Sequence, residues 1–201
     1  MTVSAITYDG DMSRWEPNAR ERLVGAALAL YRENGFDQTT VAEIAERARL
    51  TERTFFRYFG DKREVLFVGQ DRLLEVYAAT IAAAPESATP LDMVSAALRA
   101  GTPVFEERRE FGRQRQAVIG SHPELQEREE LKRAATAAAM IGALHQRGVA
   151  EPAASLAAEV AVIAFKAAFG RWISGPGAPS LSRLIEEALT DLRQLATQPA
   201  G

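Results

Sequence analysis

The chain has 201 residues, of which 47% are hydrophobic and 25% charged, and its formal net charge is −3 at pH 7. This length and composition disfavour a disordered or fibrous protein and allow one domain, or a small domain joined to a larger one. The chain contains no cysteine, which excludes disulfides, thiolate metal sites and cysteine nucleophiles and suits a reducing interior. We therefore expect a cytoplasmic protein. Its apolar residues are mostly alanine and leucine, which predicts an all-α fold.

The N-terminal region shows no targeting signal. Its first twenty residues lack the basic and apolar regions of a signal peptide, and residues 1–16 are expected to form a flexible arm. The most apolar late segment, residues 153–173, is interrupted by Glu159, Lys166 and Arg171. Because a membrane helix needs about 20 uninterrupted apolar residues, no membrane span is expected.

A first helix is predicted from residue 17 onward. The apolar residues that recur there at helical spacing are Leu23, Ala26, Ala27, Leu30 and Tyr31. Gly35 follows in a position that suits the left-handed conformation, and Phe36 can fold back as the hydrophobic contact that accompanies it. The helix is therefore expected to stop just before Gly35.

Two short helices are predicted next. Thr40 and Glu43 fit a capping box at the start of one, and Thr51 is a candidate N-cap for the other, which ends near Phe59. Helices of about eight residues cannot bury much surface alone. We therefore expect both to pack crosswise on the first helix.

A long helix is predicted from Asp61 to Ala84, with Asp61 and Glu64 as its capping box. Glycine and proline then separate five further helical segments, predicted at residues 90–108, 111–120, 123–147, 152–174 and 179–197. The predicted organisation is thus a helix-turn-helix unit at residues 17–62 and a larger helical body at residues 63–201.

The segment TERTFFRYFGDK, residues 51–62, places four aromatic residues within five positions. Three of them share one helical face that can point inward: Phe55, Tyr58 and Phe59. The fourth, Phe56, lies on the opposite face between Arg53 and Arg57. An exposed ring between two guanidinium groups is unusual for a plain amphipathic helix, so this face is interpreted as a contact surface.

Positive charge is concentrated around the same segment. Between Glu46 and Arg63 there are six basic and three acidic residues, so this window carries +3 and the remainder of the chain −6. A local basic region is typical of an electrostatic footprint for nucleic acid. Two helices joined by a tight turn, with arginines on the second, match the helix-turn-helix arrangement, in which the second helix enters the major groove.

Lys62 is predicted to lie in the first turn of the long helix, where a lysine opposes the helix dipole. A DNA phosphate held by the helix amides and the ammonium together would make this position favourable. The alternative, that Asp61 and Glu64 offset the charge of the lysine, is equally consistent with the sequence.

From about Arg20 to Leu66 the sequence resembles the N-terminal DNA-binding domain of the TetR family of transcriptional repressors. The stretch AALALYRENGFDQTTVAEIAERARLTERTFFRYFGDKREVL follows the first helix, Gly-Phe stop, Thr-Thr cap, helix-turn-helix and trailing lysine of that family without a gap. The string TFFRYF with Arg53 also resembles the mycofactocin-type regulators of the family. The remaining helical body would then be a ligand-binding and dimerisation domain.

The resemblance implies DNA contacts from eight residues. Phosphate contacts are implied for Thr40, Thr51, Tyr58 and Lys62, and base-facing roles for Arg53, Thr54, Phe56 and Arg57. Three positions depart from the family pattern: Arg49 stands where many members have a glycine in the turn, Phe56 where many have a tyrosine, and Ala42 where many have a longer polar residue. Arg49 is expected either to take a left-handed conformation, at a cost of about 1–2 kcal/mol, or to mark a slightly different turn.

The resemblance also implies a homodimer, a palindromic operator and a small-molecule effector, with an acyl-CoA or another lipophilic compound as a candidate. The apolar stripes on the last two helices that permit dimerisation are Ala157, Ala161, Ala164, Ala168, Leu181, Leu184, Ile185, Ala188, Leu189 and Leu192. The alternative, that these stripes fill the core of a single chain, stays open.

Candidate pocket residues are Phe105, Phe111, Arg115, Met140, Leu144, Phe165, Phe169 and Trp172. Further polar candidates are Arg113, Gln114, His122 and His145. Each apolar residue taken alone is as consistent with ordinary packing as with ligand contact.

No catalytic or metal-binding constellation is apparent, because the two histidines are 23 residues apart and there is no cysteine or glycine-rich phosphate loop. An enzyme is therefore not expected, and neither is a cofactor. The remaining alternative to a DNA-binding regulator is a helical interaction module whose basic helix docks on an acidic protein partner.

Overall fold

The structure is a computed structural model that describes residues 19–106, 108–175 and 177–197. The chain divides into two compact units, residues 1–62 and 63–201. The described residues form nine α-helices, one 3-10 helix and no strand, which confirms the predicted all-α fold. The predicted flexible arm, residues 1–16, lies outside the described residues.

The first unit contains α1 (Ala19–Asn34), α2 (Val41–Arg47) and α3 (Glu52–Tyr58). The second unit begins with the 3-10 helix Glu64–Phe67 and continues with α4 (Gln70–Ala82), α5 (Pro90–Glu106), α6 (Arg109–Gly120), α7 (Pro123–Gln146), α8 (Ala153–Ile173) and α9 (Leu181–Thr197).

In the first unit, α2 and α3 both pack on α1. Ile44 and Phe55 are fully buried, and Phe59 is nearly so. The capping box of Thr40 and Glu43 is present, and the Thr51 hydroxyl accepts a hydrogen bond from an amide of α3. Since α2 and α3 have only seven residues each, their stability depends on these caps and on the shared apolar face.

The link between α1 and α2 has the predicted helix stop. Gly35 is left-handed with φ of 84°, and its amide donates to the carbonyl of Tyr31 at 3.1 Å. Phe36 is 2% exposed and meets the Tyr31 ring edge-on at 5.1 Å between centroids. The Tyr31 hydroxyl donates to the carbonyl of Lys62 at 2.6 Å, and burial raises the pKa of this phenol.

The turn between α2 and α3 contains the only non-glycine residue with positive φ among the residues described. Arg49 has φ of 54°, which is the left-handed conformation of the two alternatives that the sequence left open. Arg22 of α1 donates from Nη2 to the carbonyls of Ala48 at 2.5 Å and Arg49 at 3.3 Å. The guanidinium of Arg22 thus ties the strained turn to α1.

The predicted long helix over residues 61–84 is wrong, because a 3-10 helix and a non-helical link precede the α-helix there. Val68 is extended and Gly69 is left-handed with φ of 86°, so that α4 begins only at Gln70. The preceding 3-10 helix begins at Glu64 with Arg63, and not Asp61, in the N-cap position. Lys62 is consequently not in the first turn of a helix.

Tertiary contacts explain the break. The guanidinium of Arg115 donates to the carbonyl of Leu66, an acceptor that a continuous helix would use itself. The Glu64 carboxylate pairs with Arg128 at 3.0 Å, while Val65 is completely buried. The bonds that this segment makes to α6 and α7 therefore take the place of the helical pattern that its sequence favours.

The helices of the second unit pack around a core in which α8 contacts α5, α6, α7 and α9. By length and composition α8 could cross a membrane, although buried helices of soluble proteins also pass this test. Its alanines at 157, 161, 164 and 168 and the nearby residues Leu181, Leu184, Ile185, Ala188 and Leu189 of α9 are buried within the single chain. These nine residues belong to the chain's own core, and Leu192, the last member of the predicted stripes, is partly buried against it.

Helix α5 contains Pro103, which cannot donate a hydrogen bond to the carbonyl of Arg99, four residues earlier. The Thr102 hydroxyl donates to that carbonyl at 2.8 Å instead. This local repair lets α5 continue to Glu106, where its last turn reaches the cavity described below.

Candidate DNA-binding helix and effector cavity

The outward face of α3 carries the arginine and phenylalanine residues that the sequence singled out. Arg53 and Arg57 are exposed, and Phe56 is 54% exposed although it touches buried Phe55 edge-on. Within the described ranges no hydrogen bond or ion pair engages the Arg53 side chain. The face therefore presents one uncommitted guanidinium beside one solvent-facing ring.

Arg57 and Tyr58 form a pair at the end of α3. Nη2 of Arg57 donates to the Tyr58 hydroxyl at 3.2 Å, and its guanidinium lies 4.9 Å from the centroid of the Tyr58 ring. Tyr58 is half-buried, in contrast to the core position that the helical pattern indicated. Its hydroxyl is held at the surface by Arg57, where it can reach an external group.

The threonine hydroxyls already serve as helix caps. Thr40 donates from Oγ1 to the Glu43 carboxylate at 2.8 Å, and the Thr40 amide donates to the same oxygen at 2.7 Å. These bonds, led by the one from the backbone amide, hold the pKa of Glu43 below its ordinary value. The Thr51 hydroxyl accepts from the Thr54 amide at 3.2 Å and lies 3.0 Å from the Thr54 hydroxyl.

The Lys62 side chain stabilises the link between α1 and α2 through hydrogen bonds. Its ammonium donates to the carbonyls of Phe36 at 2.7 Å, Asp37 at 3.1 Å and Thr39 at 2.9 Å. The same ammonium lies 4.6 Å from the centroid of the Phe36 ring. Because a lysine has three N–H donors, a contact with phosphate requires that one of these bonds be exchanged or shared.

The second unit encloses a cavity of about 220 Å³. Its apolar part is lined by Leu66, Phe67, Val68, Leu73, Tyr77, Leu98, Val104, Phe105, Phe111, Met140, Val162, Phe165, Phe169 and Trp172. The rings of Phe105, Phe165 and Phe169 lie 5.1–5.8 Å from one another. Burial raises the pKa of the Tyr77 phenol, which lies at the α4 side of the cavity.

The structure brings seven of the eight predicted pocket residues together around this cavity. Leu144 does not line it and is instead completely buried in the core. Of the polar candidates, only Arg115 lines the cavity. Arg113 and Gln114 bind Glu110, His122 bonds to the Val118 carbonyl, and His145 pairs with Glu151.

Charged residues make up part of the cavity lining. Arg108, Arg115, Lys132 and Arg133 line it together with a single acidic residue, Glu129. Arg115 and Glu129 form a two-point ion pair, with distances of 2.5 Å and 3.3 Å between their donor and acceptor atoms. The side chains of this pair are only 16% and 14% exposed.

Sequence reasoning missed the polar residues that α4 and α7 contribute. Gln70 was missed because the helix was predicted to run through residue 69, whereas its Nε2 donates to the Lys132 carbonyl. Glu129, Lys132 and Arg133 lie in a charged stretch of α7 that looks like an ordinary solvated face. Their spacing of three and four residues was the signal that could have placed them on one side of the helix.

Two family models match separate parts of the chain. Residues 23–67 match the model described as bacterial regulatory proteins of the tetR family. Residues 88–197, more than half of the chain, match the model of the MftR C-terminal domain. The two matches cover the helix-turn-helix unit and most of the helical body respectively.

Individual proteins agree with these matches. The HTH-type transcriptional regulator TcmR of Streptomyces glaucescens is 37% identical over 81 residues, which are 40% of this chain but 36% of that regulator. A candidate TetR-family regulator from Syntrophomonas wolfei is similar in structure with a TM-score of 0.64 at 18% identity, covering 90% of this chain and 96% of the other. FadR of Bacillus subtilis in complex with stearoyl-CoA has a TM-score of 0.61 at 19% identity, covering 86% and 96%. At these identities the two structures establish the fold.

Proposed function

Because the chain belongs to the TetR family of bacterial regulatory proteins, which are transcriptional regulators and not enzymes, we propose that it is a DNA-binding repressor released from its operator by a small-molecule effector. The observation that most supports this function is the outward face of α3. Arg53, Phe56 and Arg57 are exposed there on the second helix of a helix-turn-helix unit.

In the proposed complex α3 lies in the major groove of the operator. Arg53 and Arg57 can each donate two hydrogen bonds to the N7 and O6 atoms of a guanine, and Phe56 can contact a thymine methyl group. Thr40, Thr51, Tyr58 and Lys62 contact phosphates, which position the helix without reading sequence. Thr54 lies beside Arg53 and faces the bases.

An electrophoretic gel shift with the DNA upstream of the chain's own coding region tests this function. We expect a discrete complex whose affinity falls steeply with salt, because each neutralised phosphate releases counterions. Scrambled DNA of the same length serves as the control. If no complex forms even at low salt, the repressor proposal is wrong and the basic helix is better explained as a docking surface for an acidic protein.

We further propose that the protein acts as a homodimer. Leu156 and Ile163 are 62% and 52% exposed on one side of α8, and Leu195 of α9 is 67% exposed. Large apolar side chains in such exposed positions favour an interface with a second copy. Dimerisation also supplies the two recognition helices, about 34 Å apart, that a palindromic operator requires.

For the effector we propose an elongated apolar molecule with an anionic group, of which an acyl-CoA is one candidate. The aromatic part of the cavity and its four basic residues support this chemistry, and the structurally similar FadR of Bacillus subtilis holds stearoyl-CoA. The cavity of about 220 Å³ is smaller than the roughly 300–1,000 Å³ of typical ligand pockets. A long acyl chain therefore requires the cavity to widen.

Thermal-shift measurements with acyl-CoAs of increasing chain length test the effector class. A ligand that binds the folded state alone raises the unfolding temperature according to its concentration and affinity. We expect stabilisation that grows with chain length, and none from free coenzyme A at the same concentration. Equal stabilisation by free coenzyme A would show that the apolar cavity is not the binding site.

Release from DNA follows as a population shift. The effector stabilises an arrangement of the body that differs from the one that binds the operator. A difference in binding free energy of about 1–3 kcal/mol between the two arrangements changes operator affinity by roughly 5–150-fold.

A further inference from the structure

Glu129 is the one carboxylate among the lining residues of the cavity, which include four basic side chains. It binds Arg115 at two points and lies 3.5 Å from Arg133. The Lys132 ammonium, in contrast, has no hydrogen bond or ion pair within the described ranges. The charged lining residues are thus four basic and one acidic, and the acidic one is already bound to Arg115.

Arg115 connects the charged lining residues to the backbone of the 3-10 helix Glu64–Phe67. Its Nε donates to the carbonyl of Leu66, and its guanidinium lies 5.0 Å from the centroid of the Phe67 ring. Leu66 and Phe67 also line the cavity. One guanidinium thus joins α6, the Glu129 carboxylate of α7 and the 3-10 helix Glu64–Phe67.

We propose that Glu129 is a built-in competitor for the anionic group of the effector. In the structure its carboxylate occupies the two-point site of Arg115 that a ligand carboxylate or phosphate would use. An anionic amphiphile, with its tail among the aromatic rings, displaces Glu129 from the two Nη atoms of Arg115.

The exchange leaves no buried charge without a partner. Displaced Glu129 keeps Arg133, which already lies within ion-pair distance and also pairs with exposed Glu130. The ligand anion gains Arg115 together with the uncommitted Lys132. A neutral ligand of the same shape cannot make this exchange, because it would leave the Arg115–Glu129 pair intact.

Isothermal titration calorimetry of the full chain with octanoate and with 1-octanol tests the competition. We expect octanoate to bind more tightly than octanol, and Glu129→Gln to tighten octanoate at least fivefold while changing octanol less than twofold. Glu130→Gln is the matched control, since Glu130 is the adjacent carboxylate on α7, pairs with Arg133 and is 62% exposed. It should leave both affinities unchanged.

The proposal is wrong if octanoate binds neither the wild type nor Glu129→Gln. Equal binding of octanoate and octanol, or weaker octanoate binding by Glu129→Gln, also overturns it. Circular dichroism establishes beforehand that each variant is folded.

Hydrogen exchange of the amides of residues 66–70 tests the connection to Leu66. Arg115→Lys keeps the charge but loses the forked geometry, so exchange in this segment should accelerate at least fivefold without ligand. Arg113→Lys, an exposed arginine two residues away on α6, should change nothing. Unchanged exchange in Arg115→Lys refutes the link between Arg115 and the segment.

The regulatory meaning of this exchange rests on the proposed repressor function, but neither experiment uses DNA. A failed gel shift would remove the repressor proposal and leave the competition between Glu129 and the anion standing. Calorimetry that shows no competition would remove the exchange between Glu129 and the anion and leave the repressor proposal standing.

Discussion

Arg53 is the residue of α3 whose side chain is most available for reading DNA, because it is exposed and uncommitted within the described ranges. We predict that Arg53→Ala relaxes base preference at one position of each half-site, with a loss of about 1–3 kcal/mol in discrimination. Competition gel shifts with single-base operator variants measure this loss. Arg32→Ala, an exposed arginine of α1, is the control and should leave the preferences unchanged. A uniform loss of affinity in Arg53→Ala would place Arg53 on a phosphate instead.

Lys62 stabilises the link between α1 and α2, in addition to its predicted contact with phosphate. We predict that Lys62→Ala lowers the free energy of unfolding by about 1–3 kcal/mol, because three carbonyls lose a charged donor. Urea denaturation measures this loss.

The same Lys62→Ala variant should weaken the affinity for all DNA sequences about equally and lower the salt dependence of binding by about one charge. If the salt dependence is unchanged, Lys62 acts through the α1–α2 link alone.

Arg49 carries backbone strain that a glycine would not. Replacing Arg49 with glycine removes a conformational cost of about 1–2 kcal/mol in the folded state. Glycine also loses more conformational entropy on folding, which lowers the free energy of unfolding by roughly 0.5–1 kcal/mol. We predict that Arg49→Gly stabilises the first unit by about 0.5–1 kcal/mol, measured by slower hydrogen exchange in α2 and α3. Glu46→Gly, in the right-handed helix next to the turn, should instead destabilise that unit by about 1 kcal/mol.

At the scale of helices, Gly101 sets the distance between α4 and α5. A Cβ atom at this position would lie 2.7 Å from the Tyr77 ring and 2.8 Å from Leu73. We predict that Gly101→Ala destabilises the protein by about 1–3 kcal/mol, because the buried ring must shift. Gly142→Ala, in the C-terminal part of α7, where the added methyl group would meet nothing within 4 Å beyond its chain neighbours and its own helix backbone, should stabilise by about 0.5–1 kcal/mol. Urea denaturation of both variants compares the two effects, and equal effects would contradict close packing at Gly101.

The sequence predicted helices well where their signals are local. The Gly35 stop and the caps at Thr40 and Thr51 depend on residues within a few positions of one another, and the structure contains all three. The break at residues 68–69 could not be predicted in this way. It depends on Arg115, 49 positions away along the chain, whose bond to Leu66 has no counterpart in local sequence.

The apolar stripes of α8 and α9 illustrate a different limit. Helical periodicity shows that residues such as Ala161 and Ile185 share a buried face, but it does not reveal whether the same chain or a second copy buries it. The structure assigns these two residues to the chain's own core and leaves Leu156 and Ile163 outside. For the cavity, periodicity located the aromatic lining, whereas the ion pair of Arg115 and Glu129 needed the packing of α6 on α7.

At the scale of the whole molecule, the exposed side of α8 should decide the oligomeric state. We predict that Ile163→Glu weakens the dimer at least tenfold, since a charge would be buried without a partner at the interface. Light scattering across a concentration series measures this, and operator binding should weaken in parallel because two linked recognition helices are required. Leu131→Glu is the matched control, since Leu131 is 65% exposed on α7, outside the proposed interface. A wild-type monomer at micromolar concentration, or dimers weakened equally by both variants, would rule out this face of α8 as the dimer interface.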